Sequence, residues 1–170
     1  MTVAVYVPGK FLVADKRSTG GYRGLSNNEK KIHTVKDTSD NLTHVVLAGV
    51  AMMPAFIEVL VKKHFHSMEA KKLDRSERLY KFRDEISPYI GENWEGIIVF
   101  VKYWSNCSID AFKMTEKQVT EIKEFCAIGS GGYFAEGIYL KDNDTPPEDY
   151  PFLISKREVT VGPDSDIINF

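Results

Sequence analysis

The segment FCAIGSGGYFAEGIYL, residues 125 to 140, holds the residue types best suited to chemistry in this chain. An apolar run ends in Gly129, Ser130, Gly131 and Gly132, and a helix-like stretch follows. Because glycines carry no side chain, they allow the backbone to approach a partner closely: a phosphate, a substrate or another strand. A phosphate loop would also need a Lys-Ser or Lys-Thr pair after the glycines, and none is present. The glycine turn therefore predicts close packing against a substrate or a strand, with the Ser130 hydroxyl at the contact.

The histidines and cysteines do not indicate another reaction centre. His64 and His66 are two residues apart on a predicted helix and point to different faces, so we predict no metal pair there. His33 and His44 also lack partners at the spacing of metal ligands. The two cysteines are too few for a disulfide framework and indicate a reducing, cytoplasmic setting. We predict neither a cofactor nor a metal.

Length and composition favour a single folded domain over residues 1–170. The chain has 43% hydrophobic and 27% charged residues and a formal net charge of −2. A nucleic-acid partner would favour a basic excess, and a membrane span would need about 18 consecutive apolar residues. Neither is present, so we predict no nucleic-acid and no membrane partner.

The start of the chain has the pattern of a β-hairpin. The runs TVAVYV and KFLVAD are rich in β-forming residues and are separated by Pro8-Gly9. A two-residue turn there would place Val7 opposite Lys10 and Thr2 opposite Asp15. A one-residue bulge would shift that register.

The rest of the chain predicts an α+β fold. KIHTV and THVVLAGV form a second strand pair, helical spacing begins at Pro54, and a second helix covers Leu73 to Ile90. Strands follow in GIIVFVKYW, AFKM and CAIGSGG, with SNCSID as a turn, and residues 132 to 140 begin a helix that KDNDTPPEDYP stops. REVTV and DIINF add β character at the end. This order predicts helices outside a pair of sheets, in four layers.

Three ordered segments resemble the proteasome β-subunit superfamily, including the bacterial ATP-dependent protease subunits of the N-terminal nucleophile hydrolase class. They are FLVADKRST at 11 to 19, KKIHTV…THVVLAGV at 30 to 50 and AIGSGGYFAEG at 127 to 137. The closing REVTVGPDSDIINF is also similar to that family. The resemblance implies a four-layer αββα sandwich.

The resemblance also implies a catalytic site. In the family a terminal threonine hydroxyl attacks a peptide carbonyl while its own α-amine acts as the base. Thr2 would be that nucleophile once Met1 is removed, and the serine that accompanies the family's closing acid is replaced by Val161. The remaining positions that match the family's site are Asp15, Lys31, Gly49 for the oxyanion, Ser130 and Glu158.

Two functions remain open at this stage. In the first, which we favour, Met1 is retained, catalysis is lost and the protein self-assembles as a structural or interaction protein, encoded by a phage or as an accessory paralogue. In the second, Thr2 makes it an active threonine peptidase. Both imply a homo-oligomeric ring, with an ATP-dependent unfoldase or a host protein as a further partner. An apolar surplus predicts the interface, at Phe56, Val59, Phe65, Tyr80 and Phe82.

Overall fold

The computed structural model describes residues 3–17, 30–48, 54–102, 108–158 and 160–170. The strands in these ranges are β1 (Val3–Val7), β2 (Phe11–Asp15), β3 (His33–Lys36), β4 (Leu42–Ala48), β5 (Glu95–Lys102), β6 (Ser108–Thr115), β7 (Val119–Glu121), β8 (Cys126–Gly129) and β9 (Ser165–Asn169). The α-helices are α1 (Pro54–Val61), α2 (Arg75–Ile90), α3 (Gly132–Lys141) and α4 (Asp149–Ser155). One sheet has the order β8-β1-β2-β9 and the other the order β3-β4-β5-β6-β7, and every pairing is antiparallel. The predicted α+β class is confirmed.

The first hairpin has a different register from the predicted one. Val7 pairs with Phe11, not with Lys10, so the connection holds three residues. Lys10 stays in the turn because its N–H donates to the Val7 carbonyl at 3.0 Å, and Gly9 has φ +67°. The sequence Pro-Gly suits such a turn, since its third position favours a glycine with positive φ. Counting back from Ala4, which pairs with Ala14, Asp15 stands level with Val3 and not with Thr2.

Two helices follow the second hairpin, as predicted. α1 continues into a π-helical turn at Lys62–His66, and a 3₁₀ turn at Ala70–Lys72 leads towards α2. α2 begins at Arg75 because the Asp74 side chain caps it by accepting the Glu77 N–H at 2.8 Å. The predicted inward face of this helix is confirmed, with Leu79, Phe82 and Ile86 buried.

Three buried apolar clusters hold these elements together. The first joins α1 and α2 to one face of the five-stranded sheet through residues such as Leu60, Phe82 and Ile98. The second contains residues of both sheets, among them Tyr6 and Val99. The third joins the four-stranded sheet to α3 and α4. Consecutive residues of β1 alternate between the second and third clusters, as the two-residue period of a strand requires.

The structure differs from the predictions at three local features. Ser108 to Asp110 belong to β6 and not to a turn. The segment REVTV does not form a strand in its described residues, because the N–H groups of Arg157 and Glu158 both donate to Ile154 and extend the end of α4 as turns. α4 itself was not predicted. It forms in spite of Pro151 because a helix tolerates proline in its first turn, where the N–H has no helical partner.

The predicted interface residues were also wrong in part. Phe65 and Phe82 are 5% and 0% exposed and belong to the first cluster, so they are not available to a partner. Val59 and Tyr80 are exposed on the helices as expected.

Candidate active site

Asp15 is a completely buried carboxylate at the end of β2. Its Oδ1 accepts the Val3 N–H at 2.8 Å, and its Oδ2 accepts the N–H groups of Arg17 and Gly162, both at 3.1 Å. A buried carboxylate is costly unless hydrogen bonds or an opposite charge replace its water. Three backbone donors from three segments therefore converge on one acidic side chain.

Lys31 supplies the opposite charge. Its side chain is 11% exposed, and Nζ lies 3.4 Å from both carboxylate oxygens of Asp15. Nζ also donates to the Arg17 carbonyl, and the Lys31 backbone N–H donates to Asp166 Oδ2 at 2.6 Å. Asp166 belongs to β9, so the lysine is held between two strands of the four-stranded sheet. The ammonium and the carboxylate thus form a fixed, nearly dry pair.

The glycine turn after β8 packs against β1. Gly129 pairs with Val3 and has φ +83°, a conformation that favours glycine. At Gly131 a Cβ would lie 2.9 Å from the side chains of both Val3 and Ile154, so only glycine fits there. The sequence left open whether the glycine turn approaches a substrate or a strand, and the structure shows it packed against the strand β1.

Glu95 connects this turn to the other sheet. The Gly129 N–H donates to Glu95 Oε2 at 2.9 Å, and Lys113 Nζ lies 2.7 Å from Glu95 Oε1. Glu95 starts β5 in the five-stranded sheet, so one carboxylate bridges both sheets beside the Gly129–Val3 pair. The sequence analysis missed it, because no local pattern marks a strand-initial glutamate as a bridge.

Ser130 takes part in a chain of hydroxyl groups. Its Oγ lies 3.1 Å from Thr160 Oγ1, which donates to Glu158 Oε1 at 2.6 Å. The Thr160 N–H donates to the same oxygen at 3.1 Å, and together these bonds lower the pKa of Glu158. The hydroxyl beside the closing acid is therefore Thr160, one residue before the Val161 that the sequence comparison aligned with the family's serine. Its signal was a threonine two residues after an acid, the spacing of a local side-chain cap.

The Asp15–Lys31 pair and the Ser130–Thr160–Glu158 chain both lie next to the start of β1. Val3 donates its N–H to Asp15 and pairs with Gly129, next to Ser130. Gly162, close in the chain to Thr160, donates to Asp15 from the other direction. The structure thus places all four described candidates, Asp15, Lys31, Ser130 and Glu158, around the backbone that follows Thr2. Thr2 and Gly49 lie outside the described residues.

The chemistry available here is that of a carboxylate, an ammonium and hydroxyl groups. Among the described residues no cluster of three histidine, cysteine or acidic side chains could hold a metal ion. Cys126 is not a nucleophile candidate, because burial raises the pKa of its thiol to about 11. None of the helices within the described ranges has the length and apolar character needed to cross a membrane.

Comparison with known proteins identifies the fold. Neither a family model nor a curated protein sequence matches the chain. Among solved structures, Anbu (ancestral beta-subunit) from Yersinia bercovieri has a TM-score of 0.68 and 16% identity, over 99% of this chain and 80% of that one. BPH from Thiobacillus denitrificans in complex with epoxomicin has 0.66 and 14%, over 100% of this chain and 98% of that one. The helical assembly of the Anbu complex from Pseudomonas aeruginosa has 0.65 and 12%, over 100% and 81%.

These findings correct the family predicted from the sequence. The prediction of the proteasome β-subunit superfamily with the bacterial ATP-dependent protease subunit was wrong, because the matching structures reported above are Anbu and BPH proteins. The coarser statement stands that the chain is divergent and has a proteasome-like fold. At this level of identity the likeness concerns the fold alone.

Proposed function

We propose that this protein is an N-terminal threonine hydrolase that acts on peptide bonds and assembles with copies of itself. The observation that carries the proposal is the register of the first hairpin. Because Asp15 binds the amide of Val3, the residue directly before the bound amide is Thr2. The two-residue turn expected from the sequence would place Thr2 opposite Asp15, whereas the three-residue connection places Val3 there.

The proposed mechanism gives each residue a role. After removal of Met1, the Thr2 hydroxyl attacks the substrate carbonyl and its proton passes to the α-amine, whose ordinary pKa of about 8 suits a base at neutral pH. The peptide C–N bond then breaks, the amine product takes the proton, and water hydrolyses the ester. The Lys31 ammonium favours the ionised hydroxyl, and Asp15 holds that ammonium in place.

Three further residues support the reaction in this proposal. The Gly49 backbone N–H stabilises the oxyanion, a contribution of about 3 kcal/mol in other enzymes. Ser130 and Glu158, joined through Thr160, orient the free amine. The hydroxyl chain described above supports this role, because it ends beside the strand that begins at Val3.

Intact mass and covalent labelling test the proposal together. The purified protein should lack one methionine mass and should gain one equivalent of an epoxyketone probe, the class to which the epoxomicin of the BPH structure belongs. Thr2→Ala is the control and should remain unlabelled while keeping the same processing. A chain that retains Met1 and does not react with the probe would exclude the peptidase.

The alternative function is that of an assembly protein without catalysis. Exposed apolar side chains on the helices support it, because such side chains usually mark a contact with another chain. Tyr133 and Leu140 on α3 are 89% and 78% exposed. The Pseudomonas aeruginosa Anbu complex is described as a helical assembly, which supports self-association of a related fold. In this alternative, the chain would form a homo-oligomer but would not be labelled by the epoxyketone probe. A ring, an unfoldase and a host partner remain predictions.

We also propose that residues 1–170 form a single cytoplasmic domain with four layers in the order αββα. The three apolar clusters support this stacking, because each contains residues of a sheet and of the layer next to it. Cys126 is a free thiol, which agrees with a reducing compartment.

A further inference from the structure

A pocket of about 270 Å³ lies away from Asp15 and Lys31. It is bounded by the β3–β4 turn, the turns after α1, the first turn of α2 and the end of β5. β3 and β4 extend between the two places, since Lys31 precedes β3 whereas the pocket is lined by Asn41 and Leu42 at the start of β4. A ligand in this pocket would therefore not compete with a substrate at the candidate active site.

Four cationic side chains line this pocket: Lys71, Arg75, Arg78 and Lys102. Arg75 forms an ion pair with Asp110. The part of the chain that the structure describes offers no ion-pair partner to the other three, and Arg78 Nε donates only to the Asp74 carbonyl at 3.3 Å. Burial and, after it, the like charge of Arg75 lower the pKa of Arg78, while the Asp74 carboxylate opposes this shift.

The acidic groups nearby are already engaged. Asp37 lines the pocket, but its Oδ1 accepts the N–H groups of Ser39 at 2.7 Å and Asn41 at 3.0 Å and thereby forms the β3–β4 turn. Among the side chains that line the pocket, one carboxylate, Asp37, faces four cations. Asp110, which pairs with Arg75, and Asp74, which attracts Arg78, lie outside the lining. The lining therefore carries more positive than negative charge.

Aromatic rings form the apolar wall and fix one guanidinium. Phe65 and Phe100 contact each other with centroids 5.0 Å apart, and the guanidinium carbon of Arg75 lies 5.5 Å above the Phe100 ring. A stacked guanidinium keeps its fork in one plane, so it loses little freedom when it binds an oxyanion. Arg75 and Arg78 are only partly exposed, which strengthens their attraction for an anion relative to that of a fully solvated side chain.

We propose that this pocket binds a compact oxyanion with at least two negative charges, of the phosphate-ester or pyrophosphate class. A guanidinium fork matches the geometry of phosphate oxygens, and the lysines add point charges. The volume corresponds to about nine water molecules at roughly 30 Å³ each, which suits pyrophosphate or a small phosphate ester.

Calorimetric titration with pyrophosphate at low ionic strength tests the site. We expect saturable binding that Arg78→Ala and Lys71→Ala each weaken about tenfold, the loss typical of one charge-assisted contact. Lys72→Ala is the matched control, because Lys72 is exposed on the same 3₁₀ turn but does not line the pocket. Arg78→Lys should bind less tightly than the unchanged protein, since it keeps the charge and loses the fork.

The outcomes separate this site from others. Absence of saturable binding, or an equal loss in Lys72→Ala, would overturn the proposal. Citrate binding more tightly than pyrophosphate would replace the phosphate class with a polycarboxylate and overturn the assignment of the ligand. Lys71 is exposed, so its variant should keep the melting temperature and report on binding alone. Labelling of Thr2 by an epoxyketone should be unaffected by any of these variants.

Discussion

At the scale of single residues, the Asp15 carboxylate is buried, and contacts with the protein replace its contacts with water. Three amide groups and the Lys31 ammonium surround Asp15, and these contacts offset the cost of burying a carboxylate. The amide donors come from Arg17, two residues after Asp15, and from the more distant Val3 and Gly162. The pair therefore has a structural task whether or not the site is catalytic.

Lys31→Met should lower the free energy of unfolding by about 3 kcal/mol, because it leaves a buried carboxylate without its counter-charge. Lys30→Met, at the exposed neighbouring position, should change it by less than about 0.5 kcal/mol. Urea denaturation at pH 7 measures both. Equal effects of the two substitutions would show that Asp15 does not depend on the ammonium.

His44 should make stability depend on pH. It is 2% exposed, lies 2.9 Å from Thr34 Oγ1 through Nδ1, and has its pKa lowered to about 4 by burial and by the charge of Lys30. Above pH 6.5 it is neutral in both states, and its contribution is complete. Between pH 6.5 and 4 the unfolded chain binds a proton that the folded chain does not, so stability falls by about 3 kcal/mol as the pH decreases.

Denaturation curves from pH 7 to pH 4 measure this dependence. His44→Gln should flatten the slope between pH 6.5 and 4, because it removes the buried group that the unfolded chain protonates in this range. An unaltered slope in His44→Gln would assign the loss of stability to carboxylates instead.

At the scale of elements, Gly131 and Gly137 of the α3 region differ in the space around them. Gly131 has φ −86°, which any residue can adopt, so its requirement is space and not conformation. Gly137 lies inside α3, where a Cβ would meet nothing within 4 Å. A side chain thus has no room at the N-terminal end of α3, whereas it has room in the middle of the helix.

Gly131→Ala should destabilise the protein by about 2 kcal/mol, because the added methyl group meets the buried side chains of Val3 and Ile154. Gly137→Ala should stabilise it by about 0.8 kcal/mol, the difference in helix propensity. Thermal unfolding of both variants checks the pair. A neutral Gly131→Ala would mean that β1 can shift away from the glycine turn.

The elements also show what the sequence could predict. α1, α2, β8 and α3 follow from the hydrophobic period and from Pro54 and the glycines, which act locally. The hairpin register did not follow, because Lys10 belongs to the turn only through a backbone bond to Val7. Thr160 was missed because the resemblance aligned Val161 with the family's serine. The hydroxyl of the preceding residue, Thr160, reaches the same acid, Glu158.

At the scale of the whole molecule, two of the predicted interface residues were core residues, whereas the largest exposed apolar side chains lie elsewhere. Tyr133 and Leu140 are seven residues apart on α3 and share one face of that helix. Phe152 and Leu153 on α4 are also partly exposed. Exposed apolar area of this kind usually marks a contact with another chain.

Tyr133→Asp combined with Leu140→Asp should shift the protein towards a species of the monomer mass of 19.3 kDa. Met68→Asp, at a position 71% exposed after α1, should leave the assembly unchanged and serves as control. Light scattering at several concentrations measures the mass. An unchanged assembly in the double variant would place the interface on another surface.

The pairing of β1 with β2 limits how chains of this kind can diverge. Ala4 and Ala14 face one cluster, and Val5 and Val13 face another, because residues directly opposite each other share a side of the sheet. Gaining or losing one residue within either strand would turn the side chains beyond that point to the other cluster, whereas gaining or losing two would not. The connection itself can change in length without this effect, so lasting insertions and deletions should collect in the loop and leave the inward and outward order of both strands intact.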